Sequence, residues 1–266
     1  MKSSTMRGFQ NLIYESCGIQ LGDNKDALIS SRIGKRMRAL GIATEEAYLA
    51  FVSNEGRATE LVELLDAIST NVTSFFREPQ HFDLLRELLL RWVRLGQQKF
   101  RVWSAASSTG EEPYSIAMTM ADTLIGTPAE MRVLATDIST KVLRFAVSAK
   151  FPAKKIVEIP SRFTKYCSAP PARDGDDFEI CPAVKGMVLF KRLNLAQPPY
   201  PMRGPFDVIF CRNVMIYFDN AVRGKLIGEF ERLLRPGGYL MVGHAESLAG
   251  LSHGLRSVRP AVYVKD

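Results

Sequence analysis

The sequence contains no apolar run near the roughly 20 residues that a membrane-spanning helix requires. Its opening residues, MKSSTMRGFQ, lack the apolar core of a secretory signal. It is also poor in the residues of metal and disulfide chemistry. Four cysteines (Cys17, Cys167, Cys181, Cys211) are scattered without a CxxC pair, and the three histidines (His81, His244, His253) stand at no ligand spacing. These absences lead us to expect reduced thiols, a cytoplasmic location and no metal. Internal repeats and low-complexity tracts are absent as well, and no strand pattern precedes Phe100. With 46% hydrophobic and 24% charged residues, the composition is that of a folded globular chain rather than a disordered one.

The first part of the chain therefore reads as helical. Apolar spacing of 3.6-residue period predicts helices over 9–17, 27–40, 44–53 and 58–68, punctuated by Gly18, Gly22, Gly41 and Gly56. Thr44 is placed to start the third. The second helix should bury Ile29, Ile33, Met37 and Leu40 and turn Arg32, Lys35 and Arg36 outward. Lys25 precedes it and Asp26 is the lone acid of the stretch. The net charge of +7 (35 basic against 28 acidic residues) suits any acidic partner without choosing one. We read the basic face as a docking surface for an acidic partner. One more helix, 79–95, leads out of this region.

From Phe100 onward, strands alternate with helices. Strands are expected at 101–105, 131–136, 206–211 and 239–243, with helices at 113–124, 140–148 and 221–234 and a closing edge strand at 261–264. That alternation predicts a doubly wound, mostly parallel sheet. The stretch 162–193 breaks it: a turn-rich loop, SAPPARDGDDF, lies between short apolar runs at 178–181 and 187–193. These runs read as antiparallel strands of an inserted β-subdomain. The expected division is a helical domain over 1–76, a linker helix over 77–96 and an α/β domain over 97–266.

Chemistry concentrates where the first strand ends. Residues 103–115, WSAASSTGEEPYS, give a strand end, a turn of very small residues open to close approach by a ligand, and a helix start. Asp137 ends the next strand 27 residues beyond Gly110, near the spacing at which a βαβ unit sets a carboxylate on ribose hydroxyls. An adenosine-containing cofactor is implied. Pyrophosphate is disfavoured, because the turn has a single glycine and is followed by Glu111 and Glu112. A cationic group suits those carboxylates. S-Adenosylmethionine has ribose hydroxyls, an amino group, a sulfonium and no phosphate.

Two further motifs carry site-like residues. Arg212 and Asn213 follow the strand 206–211, before the aromatic pair Tyr217–Phe218. NVTSFFRE, residues 71–78, crowds Asn71, Thr73 and Arg77 around two phenylalanines at the domain junction. Together, NVTSFFRE, WSAASSTGEEPYS, ATDIS, LNL and FCRNVMIYFD resemble the chemotaxis-receptor glutamate methyltransferases, the CheR family, over nearly the whole chain from about Phe9. The resemblance implies a small all-α N-terminal domain, then a Rossmann-like S-adenosylmethionine-dependent methyltransferase domain carrying a small antiparallel β-subdomain. It also implies transfer of a methyl group from S-adenosylmethionine, leaving S-adenosylhomocysteine, to receptor glutamates.

By the same resemblance Asn71, Thr73 and Arg77 contact the cofactor and acceptor region, and one of Glu111 and Glu112 contacts the cofactor. Asp137 holds ribose, Asn194 and Leu195 sit beside adenine, and Arg212 and Asn213 also face the cofactor. Arg77 and Tyr217 are the catalytic candidates, Arg77 orienting the acceptor carboxylate. The implied partners are the cytoplasmic methylation helices of chemotaxis receptors, met by Arg32, Lys35 and Arg36, with no nucleic acid, no direct membrane insertion and a monomeric enzyme. Two alternatives stand beside this reading: a methyltransferase of RNA or of a small molecule, suggested only by the positive charge, and a cofactor-binding regulatory module without turnover. The histidines receive no catalytic role; His81 reads as a helix surface or packing residue, and for His244, just past a strand end, lining the site is the lesser of two readings.

Overall fold

The computed structural model describes residues 3–21, 26–69, 71–168 and 177–266. Gly22, Lys25 and most of the turn-rich loop named above lie outside them. Four helices open the chain: α1 (Ser3–Cys17), α2 (Asp26–Leu40), α3 (Glu45–Ser53) and α4 (Glu60–Ile68). They close on a core of Phe9, Ile13, Ile29, Ile33, Tyr48, Val52, Leu64 and Leu65. α1 starts six residues ahead of expectation, anchored by buried Met6 within a polar-looking run. Thr44 caps α3 by accepting from the Ala47 N–H at 3.2 Å.

Along α2 burial stops at Ile33; Met37 is half-buried and Leu40 is exposed. The basic face is smaller than expected, because Arg36 is not on it. Its guanidinium grips Glu60 of α4 bidentately (Nε–Oε1 2.8 Å, Nη2–Oε2 2.7 Å), and the Tyr48 hydroxyl donates to the same carboxylate at 2.7 Å. A buried acid on a neighbouring helix outcompetes solvent for this side chain. Arg32, Lys35 and Arg38 remain exposed.

Helix α5 (Gln80–Arg94) leads to the α/β part. There follow β1 (Lys99–Ser104), α6 (Glu111–Thr123), β2 (Glu130–Asp137), α7 (Thr140–Ser148), β3 (Lys150–Pro152), β4 (Asp177–Glu179), the single turn α8 (Pro182–Lys185) and β5 (Val188–Arg192). The chain continues through β6 (Phe206–Cys211), α9 (Asn220–Leu233), β7 (Leu234–Val242), β8 (Leu255–Arg259) and β9 (Val262–Lys265). Seven strands form one sheet in the order β5-β2-β1-β6-β7-β9-β8, parallel from β5 to β7. β9 pairs antiparallel with β7 on one side and β8 on the other. The expected closing strand thus lies inside the sheet, and the edge is β8, whose LRSVR sequence shows only Leu255 buried and so carries little strand signal.

The small sheet also differs from expectation. β4 pairs antiparallel with β3, matching Phe151 to Phe178, and the run 187–193 instead supplies β5, a parallel edge strand of the main sheet. β3 is three residues ending in proline, too short to show a period, while β5 is half-exposed like a strand of a small two-faced sheet. Among the described residues, no helix is long and apolar enough to cross a membrane.

The helical and α/β parts are joined by polar contacts at the C-terminal strand ends. Asp66 of α4 accepts from Thr140 N (3.1 Å), Thr140 Oγ1 (3.0 Å) and Lys141 N (3.1 Å), satisfying free donors at the start of α7. Asn194 donates to the Ser16 carbonyl at 2.7 Å, and Ile19 bridges Phe218. Replacing Asp66 with Ala strands those donors and is expected to cost about 1–3 kcal/mol. The readout is the urea midpoint at constant m-value; an unchanged midpoint would mean that other contacts hold the junction.

Candidate functional site

The crevice at the C-terminal ends of β1, β2 and β6 is built on strained or tightly packed backbone. After β1 the chain turns through Ser108 (φ 46°) and Gly110 (φ 101°). A Cβ at Gly110 would meet the Ala146 Cβ at 2.9 Å, so glycine answers both the backbone angle and the packing. The Ser108 N–H donates to Asp137 Oδ2 and the Ser139 N–H to Oδ1, both at 2.9 Å. Burial pushes the Asp137 carboxyl up, against the pull of those N–H groups. Asp137 is thereby fixed at the centre of the crevice wall, between its polar and apolar ends.

The 71–78 segment enters from the other side. Phe75 and Phe76 are its pegs: Phe75 meets Phe151 and Phe178 of the small sheet at ring-centroid distances of 4.8 and 6.0 Å, and Phe76 stacks on Phe163 at 4.5 Å. Two non-glycine residues, Phe76 (φ 51°) and Glu78 (φ 56°), take left-handed conformations there. The Phe75 and Phe76 N–H groups are tied to Glu158 and to the Ser115 hydroxyl. With the rings buried, Asn71, Thr73 and Arg77 line the crevice.

Glu111 and Glu112 divide sharply. Glu111 turns away; its carboxylate takes Lys155 Nζ at 2.5 Å and the Thr109 hydroxyl at 2.6 Å. Glu112 lines the crevice, accepting from Ser104 Oγ at 2.7 Å and Arg212 Nη1 at 2.8 Å. Burial raises its pKa, with Arg212 opposing. Arg212 also meets Glu78 Oε2 at 3.0 Å and donates to the Arg77 carbonyl. Glu78 loses solvation too, yet Arg212 holds its carboxyl below the usual range.

Asn213 follows in a left-handed conformation (φ 59°), and Tyr217 two residues past Met215 lines the same polar end as Arg77. Asn194 and Leu195 border the apolar end with Cys17, Ile19, Ala106 and Phe218. One crevice thus gathers Asn71, Thr73, Arg77, Glu112, Asp137, Arg212, Asn213 and Tyr217, with Asn194 and Leu195 at its far end. Its gradation from apolar through a fixed carboxylate to a charged end suits a nucleoside bearing an amino-acid tail.

Glu246 escaped sequence reasoning. Its buried carboxylate accepts from the backbone N–H groups of Asn213 (2.8 Å), Met215 (2.7 Å), Ile216 (3.3 Å) and Gly243 (2.7 Å). A Cβ at Gly243 would fall 2.6 Å from Asn213 Nδ2, so the close approach depends on glycine. The only sequence signal was an acid four residues beyond a strand end, beside His244. That histidine does not line the crevice: it stands behind Glu78, donating its N–H at 3.3 Å, with its ring 5.3 Å from His81. Glu78, His81 and His244 have metal-type donors within 4.8 Å of one another. The Arg212 guanidinium on Glu78 places a fixed cation beside that group, against a second one.

The family model described as "CheR methyltransferase, all-alpha domain" matches residues 4–69, and that described as "CheR methyltransferase, SAM binding domain" matches residues 71–264. The chemotaxis protein methyltransferase of Borreliella burgdorferi is 37% identical over 96% of this chain and 92% of its own. That of Escherichia coli K12 is 38% identical over 94% and 87%. Chemotaxis protein methyltransferase 2 of Pseudomonas aeruginosa is 35% identical over 97% and 93%.

His81 offers a pH test of this region. It is buried against Phe210 and His244, neither ring nitrogen makes a hydrogen bond, and Nδ1 lies 3.5 Å from Glu78 Oε2. Burial, with Arg212 nearby, pushes its pKa down to about 4. Below about pH 6.5 the unfolded chain binds a proton that the folded chain refuses, so stability falls by up to about 1.4 kcal/mol per pH unit towards pH 4. His81→Phe should show a shallower decline in urea titrations at pH 7, 6 and 5. Parallel declines would assign the acid sensitivity to the carboxylates.

Proposed function

Because the chain belongs to the CheR methyltransferase family, we propose that it esterifies glutamate side chains on the cytoplasmic methylation helices of chemotaxis receptors. It is an S-adenosylmethionine-dependent methyltransferase of chemotaxis. The observation that carries the substrate reading is the polar end of the crevice, where Arg77 and Tyr217 lie beside Glu112 and Asp137 with no histidine in the lining. Such an end positions an anionic acceptor and offers no dedicated general base.

A glutamate, with an ordinary pKa of about 4.3, needs none: it is a carboxylate at neutral pH. The bound cofactor supplies a methyl group on a cationic sulfur, so that a carboxylate oxygen forms the new O–C bond as the C–S bond breaks and two opposite charges cancel. The protein's task is alignment, which in favourable cases contributes about 7–11 kcal/mol. Arg77 is assigned to orient the acceptor through charge-assisted hydrogen bonds, and Tyr217 to offer its hydroxyl or its ring. Asp137 would hold the ribose, with Asn194 and Leu195 beside the adenine. Of the two candidate acids Glu112, rather than Glu111, would take the amino group, with Asn71, Thr73 and Asn213 around it. Arg212 would act on the cofactor through Glu112.

Arg32 and Lys35 are proposed to meet acidic receptor helices. Arg32 lines a small cleft with Leu28 and Tyr217, so the basic face of α2 opens towards the polar end of the crevice. Arg36, held by Glu60, is left out of this surface.

Incubating the protein with methyl-labelled S-adenosylmethionine and a receptor cytoplasmic fragment should give label released as methanol by mild base. Base-stable label would exclude an ester. In the same assay, Arg77→Ala should lower kcat by about 10–100-fold, the worth of one charge-assisted contact, and shift S-adenosylhomocysteine affinity less. Lys at this position should rescue poorly for want of the planar fork. A large loss of cofactor affinity with unchanged kcat would move Arg77 to the cofactor. Asp137→Ala should weaken S-adenosylhomocysteine binding in calorimetry by about 1–3 kcal/mol; equal affinity in a folded variant would remove Asp137 from the ribose site.

A further inference from the structure

Parallel sheets in α/β proteins are covered by helices on both faces. Here α6 and α7 pack on β2 and β5, and α9 lies against β7 and Trp103. The crossover from β5 to β6, residues 193–205, passes β2 and β1 without forming a helix. A groove of about 810 Å³ is left over β5, β2 and β1.

The sheet register sets what faces it. Cα partners in a parallel ladder share a face, so Leu134 pairs with Leu189 as an apolar floor, Arg101 with Arg132 at one end, and Thr136 with Lys191 at the other. Leu189 is 55% exposed. Arg192 and Arg203 add to the lining, which among the described residues then holds five cations and no carboxylate. Among the described residues Arg132 is paired only with the exposed Glu130, at 3.5 Å.

We propose that this groove is a docking site for an acidic amphipathic helix of a partner protein, which takes the place of the helix the β5–β6 crossover lacks. An apolar stripe seats on Leu134 and Leu189, and carboxylates flanking it meet Arg101 and Arg132 at one end and Lys191 at the other. The cations set orientation and encounter rate, and the leucines supply the buried area. Nucleic acid fits less well: the one aromatic ring in the lining, Phe206, is buried, so bases find no stacking platform. The site lies on the sheet face, away from Arg77 and Tyr217, and does not depend on the identity of the methyl acceptor.

The test uses the full chain and a fluorescein-labelled 18-residue peptide of Leu, Ala and Glu with leucines at helical spacing. Its controls are a scramble of the same composition, an analogue with every Glu replaced by Gln, and an oligothymidylate of similar charge. In fluorescence anisotropy the acidic amphipathic peptide should bind at least tenfold more tightly than each control, and more weakly as salt rises. Arg132→Glu with Lys191→Glu, and separately Leu189→Glu, should each weaken it at least tenfold, with S-adenosylhomocysteine affinity within twofold of the parent as the check on folding. Equal binding of the scramble, tighter binding of the oligonucleotide, or unchanged peptide affinity in the folded variants would overturn the proposal.

Discussion

The Arg212 guanidinium, withdrawn from water between Glu78 and Glu112, is the contact on which the crevice depends. Its donors reach two carboxylates and the Arg77 carbonyl, so one side chain from the end of β6 fixes the start of α6 and the exit of the 71–78 segment together. Each carboxylate alone would be costly to bury, and the two would repel each other; the cation between them offsets part of both penalties. Two carboxylates thus share one guanidinium beside the crevice. That excess suits a ligand carrying a positive sulfur and an ammonium group.

The helical N-terminal part is a wall of the site rather than an appendage. Ile19 reaches Phe218, the Gln20 N–H donates to the Tyr217 carbonyl at 2.8 Å, and Asp66 ties α4 to the start of α7. Tyr217 is thus held from the N-terminal side through its carbonyl and from the sheet side through Glu246, which grips the backbone just before it. Phe75, through Phe151, similarly makes Arg77 answerable to the small sheet, and Phe76 ties it to Phe163. Two separately packed units therefore position the two groups assigned to the acceptor.

Much of this was legible in the residues. The buried strands β1, β2 and β6 and the amphipathic helices announce themselves by periodicity, and polar residues at the ends of such strands mark the crevice. What escaped has a common character. β8 is nearly all solvent-facing, β3 is three residues long, and β5 is half-exposed; none offers a period to read. Arg36 looked like its neighbours on a helical wheel until Glu60, 24 residues away, claimed it. Glu246 works on backbone N–H groups about 30 residues distant, which no side-chain pattern records. The choice between Glu111 and Glu112 rested on Lys155, whose partner is likewise remote in sequence.

The order β7-β9-β8 has a consequence for how the chain is assembled. β7 does not pair with the strand that follows it; its free edge accepts β9, the later arm of a hairpin. Until β8 and β9 have both been made and have folded on each other, β7 presents unpaired N–H and C=O groups beside an apolar face that includes Leu240 and Val242. An open edge of that kind invites pairing with another chain. A nascent or C-terminally clipped molecule would therefore be hazardous for aggregation well before its cofactor crevice was harmed, although that crevice is built largely from residues that precede the hairpin.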